Sequence, residues 1–226
     1  MFENLTTAHL ADACLRAGVP VRCAPLPPVM PGWRAAGRAL PCVHVGSVDV
    51  FLEAYESAGP GDVLVIDNGG RRDEACVGDL AVLEARAAGL SGVVVWGLHR
   101  DTADVRAIGL PVFSLGALPT GPQRLDPRPA DGGLTRAAVA GFEVSLDDAV
   151  LADDDGVVVV PFDRAEELTA LAAAIRDAER QQAELVRGGT TLRDQLRFAD
   201  YLARRRTEPD LTFRAHLRAI GGAIEE

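Results

Sequence analysis

Apolar and polar positions change rhythm several times along this chain. Near the start, Leu10, Ala11, Cys14 and Leu15 fall at helical spacing behind Thr6 or Thr7, either of which can cap a helix that Gly18 can end. Pro25, Pro27, Pro28 and Pro31 then exclude regular structure up to Trp33, and a strand is expected over Ala39–Val45. Beyond it, the β-branched runs Val63–Asp67 and Gly92–Trp96 alternate with helical patterns over Glu74–Ala88, stopped by Gly89, and over Thr102–Ile108. A further strand is expected at Pro111–Leu115. Short β-branched runs separated by helical patterns are buried strands in a sheet covered by helices, so the chain reads as an α/β protein.

Ala117–Gly133, with Pro119, Pro122, Pro127 and Pro129, reads as an extended excursion. Strands are expected again at Ala138–Val144 and Gly156–Pro161, and the scarcity of helical pattern between 137 and 161 predicts antiparallel pairing there. From Arg164 the rhythm is helical. Ala165–Arg187 carries Leu168, Leu171, Ala172, Ile175 and Ala178 on one stripe before Gly188-Gly189, and two more helices are expected at Leu192–Arg205 and Leu211–Ile220. The organisation expected is an α/β domain over 1–163 and a helical extension over 164–226 that packs on the domain or on a neighbouring subunit.

Composition narrows the partners. With 226 residues, 48% of them hydrophobic, the chain can bury one sizeable core. Its 33 acidic residues outweigh 23 basic ones, all Arg, for a net charge of −10. That field repels phosphate backbones and anionic lipid, so neither nucleic acid nor a membrane is expected as partner, while a small anion held locally by Arg remains compatible. Cys14, Cys23, Cys42 and Cys76 form no C-x-x-C and have no His at finger spacing, which favours reduced thiols over a disulfide framework or structural zinc. The N-terminus lacks the basic and apolar segments of a signal peptide, and a soluble, cytoplasmic protein is expected.

The densest set of chemically capable side chains is Gly78-Asp79, then twenty residues, then Arg100-Asp101 and Asp104. Each half follows a β-branched strand and opens a helix, the edge at which open α/β sheets bind ligands. Two carboxylates and a guanidinium in one pocket suit a hard cation with a carboxylate substrate, and the backbone N–H groups of Gly78, Asp79, Leu80 and Ala81 suit an anion. The same residues have a purely structural reading: Asp101 is a natural N-cap, Asp104 a capping-box partner and Arg100 a surface ion-pair residue. His99 is a candidate proton shuttle beside Arg100, whereas His9, His44 and His216 stand isolated in sequence and read as packed or solvated. Asn68-Gly69-Gly70 lacks dinucleotide spacing and reads as a tight turn. Asp153-Asp154-Asp155-Gly156 fails the calcium-loop pattern at its twelfth position, Phe162, and reads as a solvated turn.

The stretch GDVLVIDNGGRRDEACVGDLAVLEARAAGLSGVVVWGLHRDTADVRAIGLPVFSLG resembles the RraA-like family. That family includes class II, metal-dependent 4-hydroxy-4-methyl-2-oxoglutarate aldolases and the regulator of ribonuclease activity. The likeness runs from TAHLADAC to DDDGVVVVP, and Asp79 through Arg100-Asp101 matches the family's D-x20-R-D signature without a gap. The resemblance implies an αββα sandwich related to the swivelling phosphohistidine domain, assembled as trimers or paired trimers. It implies Asp101 as direct ligand of Mg2+ or Mn2+, Arg100 on the substrate carboxyl and enolate oxygen, Asp79 on a metal-bound water, and Gly78–Ala81 as carboxylate cradle. An acidic residue from a neighbour's C-terminal region completes the aldolase site in the family; Glu179 and Glu184 are the candidates here. Trp96 departs from the pattern, standing where many members carry Asp.

The function implied is a divalent-metal lyase that releases pyruvate from a 2-oxo acid by aldol cleavage, by decarboxylation of oxaloacetate, or by both. The alternative is a non-catalytic, protein-binding regulator. A methyltransferase, a name some members carry, lacks the Gly-rich cofactor loop it would need.

Overall fold

A computed structural model describes residues 1–221 and divides the chain into two compact units, Met1–Thr169 and Ala170–Glu226. The first unit runs α1 (Thr7–Arg16), β1 (Arg22–Ala24), β2 (Ala35–Val43), α2 (Asp49–Glu56), β3 (Val63–Asp67), β4 (Ala75–Val77), α3 (Asp79–Ala87), β5 (Gly92–Trp96), β6 (Leu98–His99), α4 (Thr102–Ile108), β7 (Val112–Ser114), β8 (Arg136–Val139), β9 (Phe142–Ser145), β10 (Asp148–Asp153) and β11 (Gly156–Pro161). The helix α5 (Ala165–Arg187) follows, then α6 (Leu192–Gln195), α7 (Phe198–Arg205) and α8 (Phe213–Ile220). The last residues of the helical extension, 222–226, lie outside the described residues.

The fold is mixed α/β. Seven strands form one sheet in the order β1-β11-β10-β2-β3-β5-β7, parallel from β2 to β7 and antiparallel from β1 to β2. Side chains alternate across it as the pleat requires. Leu64, Ile66, Val93 and Val95 bury one face of the parallel half together with Phe51 and Ala54 of α2, Val82 and Ala85 of α3 and Val105 of α4. The alternate residues Val63, Val65 and Val94 join a second core with Ala137, Val139 and Val144 of the β8–β9 hairpin and with Val150, Val157 and Val159. The sheet thus curls on itself, and α1 packs beside β10 and β11, where Thr7 donates its N–H and Oγ1 to the buried Asp153 carboxylate at 2.8 and 2.7 Å. That contact corrects the solvated-turn reading of Asp153, which caps α1 rather than facing water.

Several expected elements differ. The helix expected from Glu74 begins only at Asp79, because Ala75–Val77 is diverted into β4, which pairs in parallel with β6. The strand expected at Ala138–Val144 is a hairpin, turned by Ala140 and Gly141 at φ 48 and 90°. Both φ values are positive, as a two-residue hairpin turn matched to strand twist requires. The expected helix Leu192–Arg205 is broken at Arg197, whose φ of 48° ends α6 and begins α7. In that second unit Phe198, Tyr201, Phe213 and His216 form an aromatic cluster, and His216 Nε2 lies 2.9 Å from the Leu196 carbonyl. Among the described residues no helix is long and apolar enough to cross a membrane.

Candidate functional site

The small β4–β6 ladder brings the two halves of the sequence constellation together. Val77 pairs with His99, and the next residue, Arg100, donates its N–H to the Val77 carbonyl at 2.9 Å. Gly78, which leaves β4, therefore stands beside Arg100 and Asp101, which leave β6. A Cβ placed on Gly78 would lie 2.5 Å from Oδ2 of Asp101 and 3.2 Å from Nε of Arg100. On its other side the guanidinium meets Gly121, where a Cβ would lie 2.9 Å from Nη1. Two glycines thus make the slot that holds Arg100, while Nε binds Asp101 Oδ2 at 3.2 Å.

Asp101 is the first residue before α4, as the capping reading expected, but its side chain makes no capping hydrogen bond with the described residues. Its backbone is left-handed, φ 56° and ψ 40°, whereas a capping residue is normally extended. The carboxylate is turned toward Arg100 and Gly78 instead. The capping-box reading of Asp101 and Asp104 is therefore corrected. Thr6 shows the contrast: its hydroxyl accepts from the His9 N–H at 3.3 Å and caps α1.

Gly78, Asp79, Leu80, Ala81 and Arg100 line one cavity of about 290 Å³, joined by His44, Gly46, Val48, Ala75, Cys76 and Pro122. Asp101 is not on its wall; it reaches the site through its contact with Arg100 and over Gly78. Asp79 opens α3, and the N–H groups of its first turn have no acceptor within the helix, which gives this wall of the cavity positive polarity. The cavity lies beyond the carboxyl ends of β2, β4 and β6.

His99 is not free to shuttle protons. Its Nδ1 lies 2.7 Å from Ser114 Oγ and its Nε2 3.0 Å from Thr102 Oγ1, so both ring nitrogens pin β6 to β7 and α4. It holds the end of β6, from which Arg100 and Asp101 leave. His44 is packed, one of the two readings expected of it. It is buried on the cavity wall, stacks on Phe51 at 5.4 Å and has Nδ1 2.9 Å from Asn68 Oδ1. Arg124 binds the same Oδ1 at 2.9 Å and Oε1 of buried Glu74 at 3.1 Å. Four residues from three segments, the end of β2, the β3–β4 connection and the excursion after β7, thus form one largely buried network.

Burial lowers the pKa of both His44 and His99 below the ordinary value of 6.5. The unfolded chain therefore binds more protons than the folded one between 6.5 and those lower values, and stability rises with pH across that window. We expect the melting temperature to fall as pH drops from 7 toward 5, and His99→Gln to flatten this slope. A melting curve series that is level across that range would contradict the buried, neutral state of both rings. Desolvation, followed by the Glu74 charge, also raises the Cys76 pKa, which favours the protonated thiol.

The class of protein defined by this arrangement is an α/β protein whose anion-friendly cavity sits at the carboxyl ends of parallel strands. Within that class the chain belongs to the RraA-like family, whose pattern, described as Aldolase/RraA, matches residues 7–159. It is 30% identical over 196 residues to Protein DlpA of Legionella pneumophila, covering 84% of this chain and 31% of that protein. It is 31% identical over 112 residues to a proposed 4-hydroxy-4-methyl-2-oxoglutarate aldolase of Hahella chejuensis, covering 50% of this chain and 66% of the relative. The structure of Streptomyces coelicolor RraAS2, described as an unusual member of the RNase ES inhibitor RraA family, superposes with a TM-score of 0.67. It shares 29% identity, with 81% of this chain and 91% of that one covered. The chain spans less than two thirds of the length of both curated relatives.

Proposed function

We propose that this protein is a divalent-metal lyase that cleaves a C–C bond of a 2-oxo acid and releases pyruvate, by aldol cleavage, by decarboxylation of oxaloacetate, or by both. The observation that carries this reading is the convergence on one cavity of Arg100, Asp79 and the first turn of α3, with Asp101 held over Gly78. The name of the Hahella relative supports it.

The residues fit a hard cation. Among the described residues no group of three His, Cys, Asp or Glu side chains could cage a metal, but Mg2+ and Mn2+ accept one or two carboxylates and complete their shells with water and substrate oxygens. Asp101 would be the direct ligand and Asp79 would hold a bound water. When present, the cation supplies Lewis-acid stabilisation of negative charge on the substrate oxygen. The N–H groups at the start of α3 receive the substrate carboxylate. Arg100, fixed between Gly78 and Gly121, presents a permanent positive charge where the enolate oxygen develops, a preorganised interaction of about 3 kcal/mol. Self-association as trimers or paired trimers, with Glu179 or Glu184 of a neighbour near the site, belongs to the same reading, as does a cytoplasmic location.

Pyruvate release from oxaloacetate and from 4-hydroxy-2-oxo acids, followed by coupled lactate dehydrogenase with Mg2+ and with EDTA, tests the proposal. We expect turnover with Mg2+ and its loss in EDTA; equal rates in both, or none with any substrate, would overturn it. A second reading, a protein-binding regulator, is favoured by the net charge of −10 and the likeness to RraAS2. It predicts a stoichiometric partner that Arg100→Ala still binds and a parent chain without lyase activity.

A further inference from the structure

Aldol cleavage needs a group that takes the proton from the substrate hydroxyl as the C–C bond breaks. On the cavity wall Arg100 stays charged, Cys76 stays protonated, and Asp79 is committed to the cation's water in the reading above. His44 is the remaining titratable side chain there.

The neighbours of His44 fix its tautomer. Arg124 has only donors, so the Asn68 atom it binds at 2.9 Å is an acceptor, the carbonyl oxygen Oδ1. His44 Nδ1, 2.9 Å from that same oxygen, must then donate to it. The lone pair of the neutral ring is therefore on Nε2. The orientation is held by a buried apparatus: the Phe51 stack, the His44 N–H bond to the Asp67 carbonyl at 2.9 Å, and Arg124 anchored on Glu74 and on the His44 carbonyl at 3.2 Å. Burying an ion pair to steer one amide oxygen is costly, and it makes sense where the ring it orients has a task. The charged groups facing the ring are Glu74, with Oε1 3.9 Å from Nδ1, Arg124 and Asp49, while Asp79 and Arg100 line the same cavity.

We propose that His44 is the proton-transfer residue of this cavity, an inference that rests on the lyase reading. Nε2 takes the proton from the C4 hydroxyl of a 4-hydroxy-2-oxo acid, and the freed O–H pair becomes the second C–O bond of the departing carbonyl product. The C3–C4 bond breaks, its electron pair forms the C2–C3 double bond, and the C2 carbonyl pair moves to the enolate oxygen beside Arg100. The imidazolium then returns the same proton to C3, the enolate pair restores the carbonyl, and pyruvate is complete. No oxidant or co-substrate is consumed. Decarboxylation of oxaloacetate has no hydroxyl proton to remove, so it depends on His44 much less.

The test compares both reactions, assayed with Mg2+, in the full chain and in His44→Gln. We expect release of pyruvate from 4-hydroxy-4-methyl-2-oxoglutarate to fall by about 100-fold or more and release from oxaloacetate by less than about tenfold. In the parent, kcat/KM for the hydroxy acid declines on the acid side below the ordinary His range, and the oxaloacetate profile lacks that limb. Equal losses in the two reactions, unimpaired cleavage by the variant, or superimposable pH profiles in the parent would overturn the assignment. Should His44→Gln fail to fold, the parent profiles decide alone. A parent active on oxaloacetate alone would overturn the role of His44 and leave the lyase intact; a parent inactive on both would overturn both.

Discussion

We expect Asp101→Asn to lower the proposed pyruvate release by roughly 1000-fold, about 4 kcal/mol of transition-state stabilisation, while leaving the fold and its melting temperature in place. The substitution keeps the shape and removes the charge. Stability is spared because Asp101 makes no capping bond with the described residues, and its 3.2 Å ion pair with Arg100 joins side chains 36% and 47% exposed. Ion pairs this exposed are worth about 0–1 kcal/mol. Asn also tolerates the left-handed backbone that residue 101 adopts at φ 56°. Arg100→Lys retains the charge but loses the planar fork, and a loss of about 100-fold is expected. A Asp101→Asn variant that turns over at the parent rate, checked by steady-state kinetics beside circular dichroism, would remove the cation from the account.

Gly78→Ala is expected to lower activity by about 100-fold with a stability change of about 1 kcal/mol or less. The new methyl would meet Asp101 Oδ2 at 2.5 Å and Arg100 Nε at 3.2 Å. Both are ends of side chains that can swing away, and the φ of −129° at residue 78 suits any residue, so the backbone stays while the constellation is pushed apart. Gly37→Ala is the contrast. Its methyl would stand 1.9 Å from the Gly61 carbonyl oxygen, which is backbone and cannot swing, so that variant should lose about 3 kcal/mol or more of stability. If Gly78→Ala kept full activity, residues 100 and 101 would not act from where they stand.

The parts of this fold that were legible in the sequence carry their signal locally. β3 and β5 read VLVID and GVVVW, each with four consecutive apolar residues, and α4 lies between Asp101 and the left-handed Gly109, so their extents emerge from a few neighbouring residues. The parallel pairing of β3 and β5 follows from the helix between them. β4 and β6, which actually join the site, are three and two residues long and have no readable period. α2 was hidden because Val48 at its start offers no capping side chain. Ala140 disguised the β8–β9 turn, since alanine rarely takes a φ of 48°.

The site divides the same way. Gly78, Asp79, Arg100 and Asp101 were legible as a spacing, though Asp101 looked like a cap until its backbone and side chain were seen. His44 was illegible because Asn68, Glu74 and Arg124 lie 24 to 80 positions away and meet it only after the curl of the sheet and the return of the proline-rich excursion. Nothing adjacent to His44 in the chain distinguishes it from a packed core histidine.

The most direct measurement is a crystal of the full chain grown with Mn2+ and pyruvate and examined by anomalous diffraction at the manganese edge. An anomalous peak within bonding distance of the Asp101 carboxylate, with pyruvate between it and Arg100 and its carboxylate on the first turn of α3, is the result expected. A cavity containing both ligands' concentrations but neither ligand's density, or manganese bound only elsewhere, would contradict the claim that these two strand ends build one metal and keto-acid site.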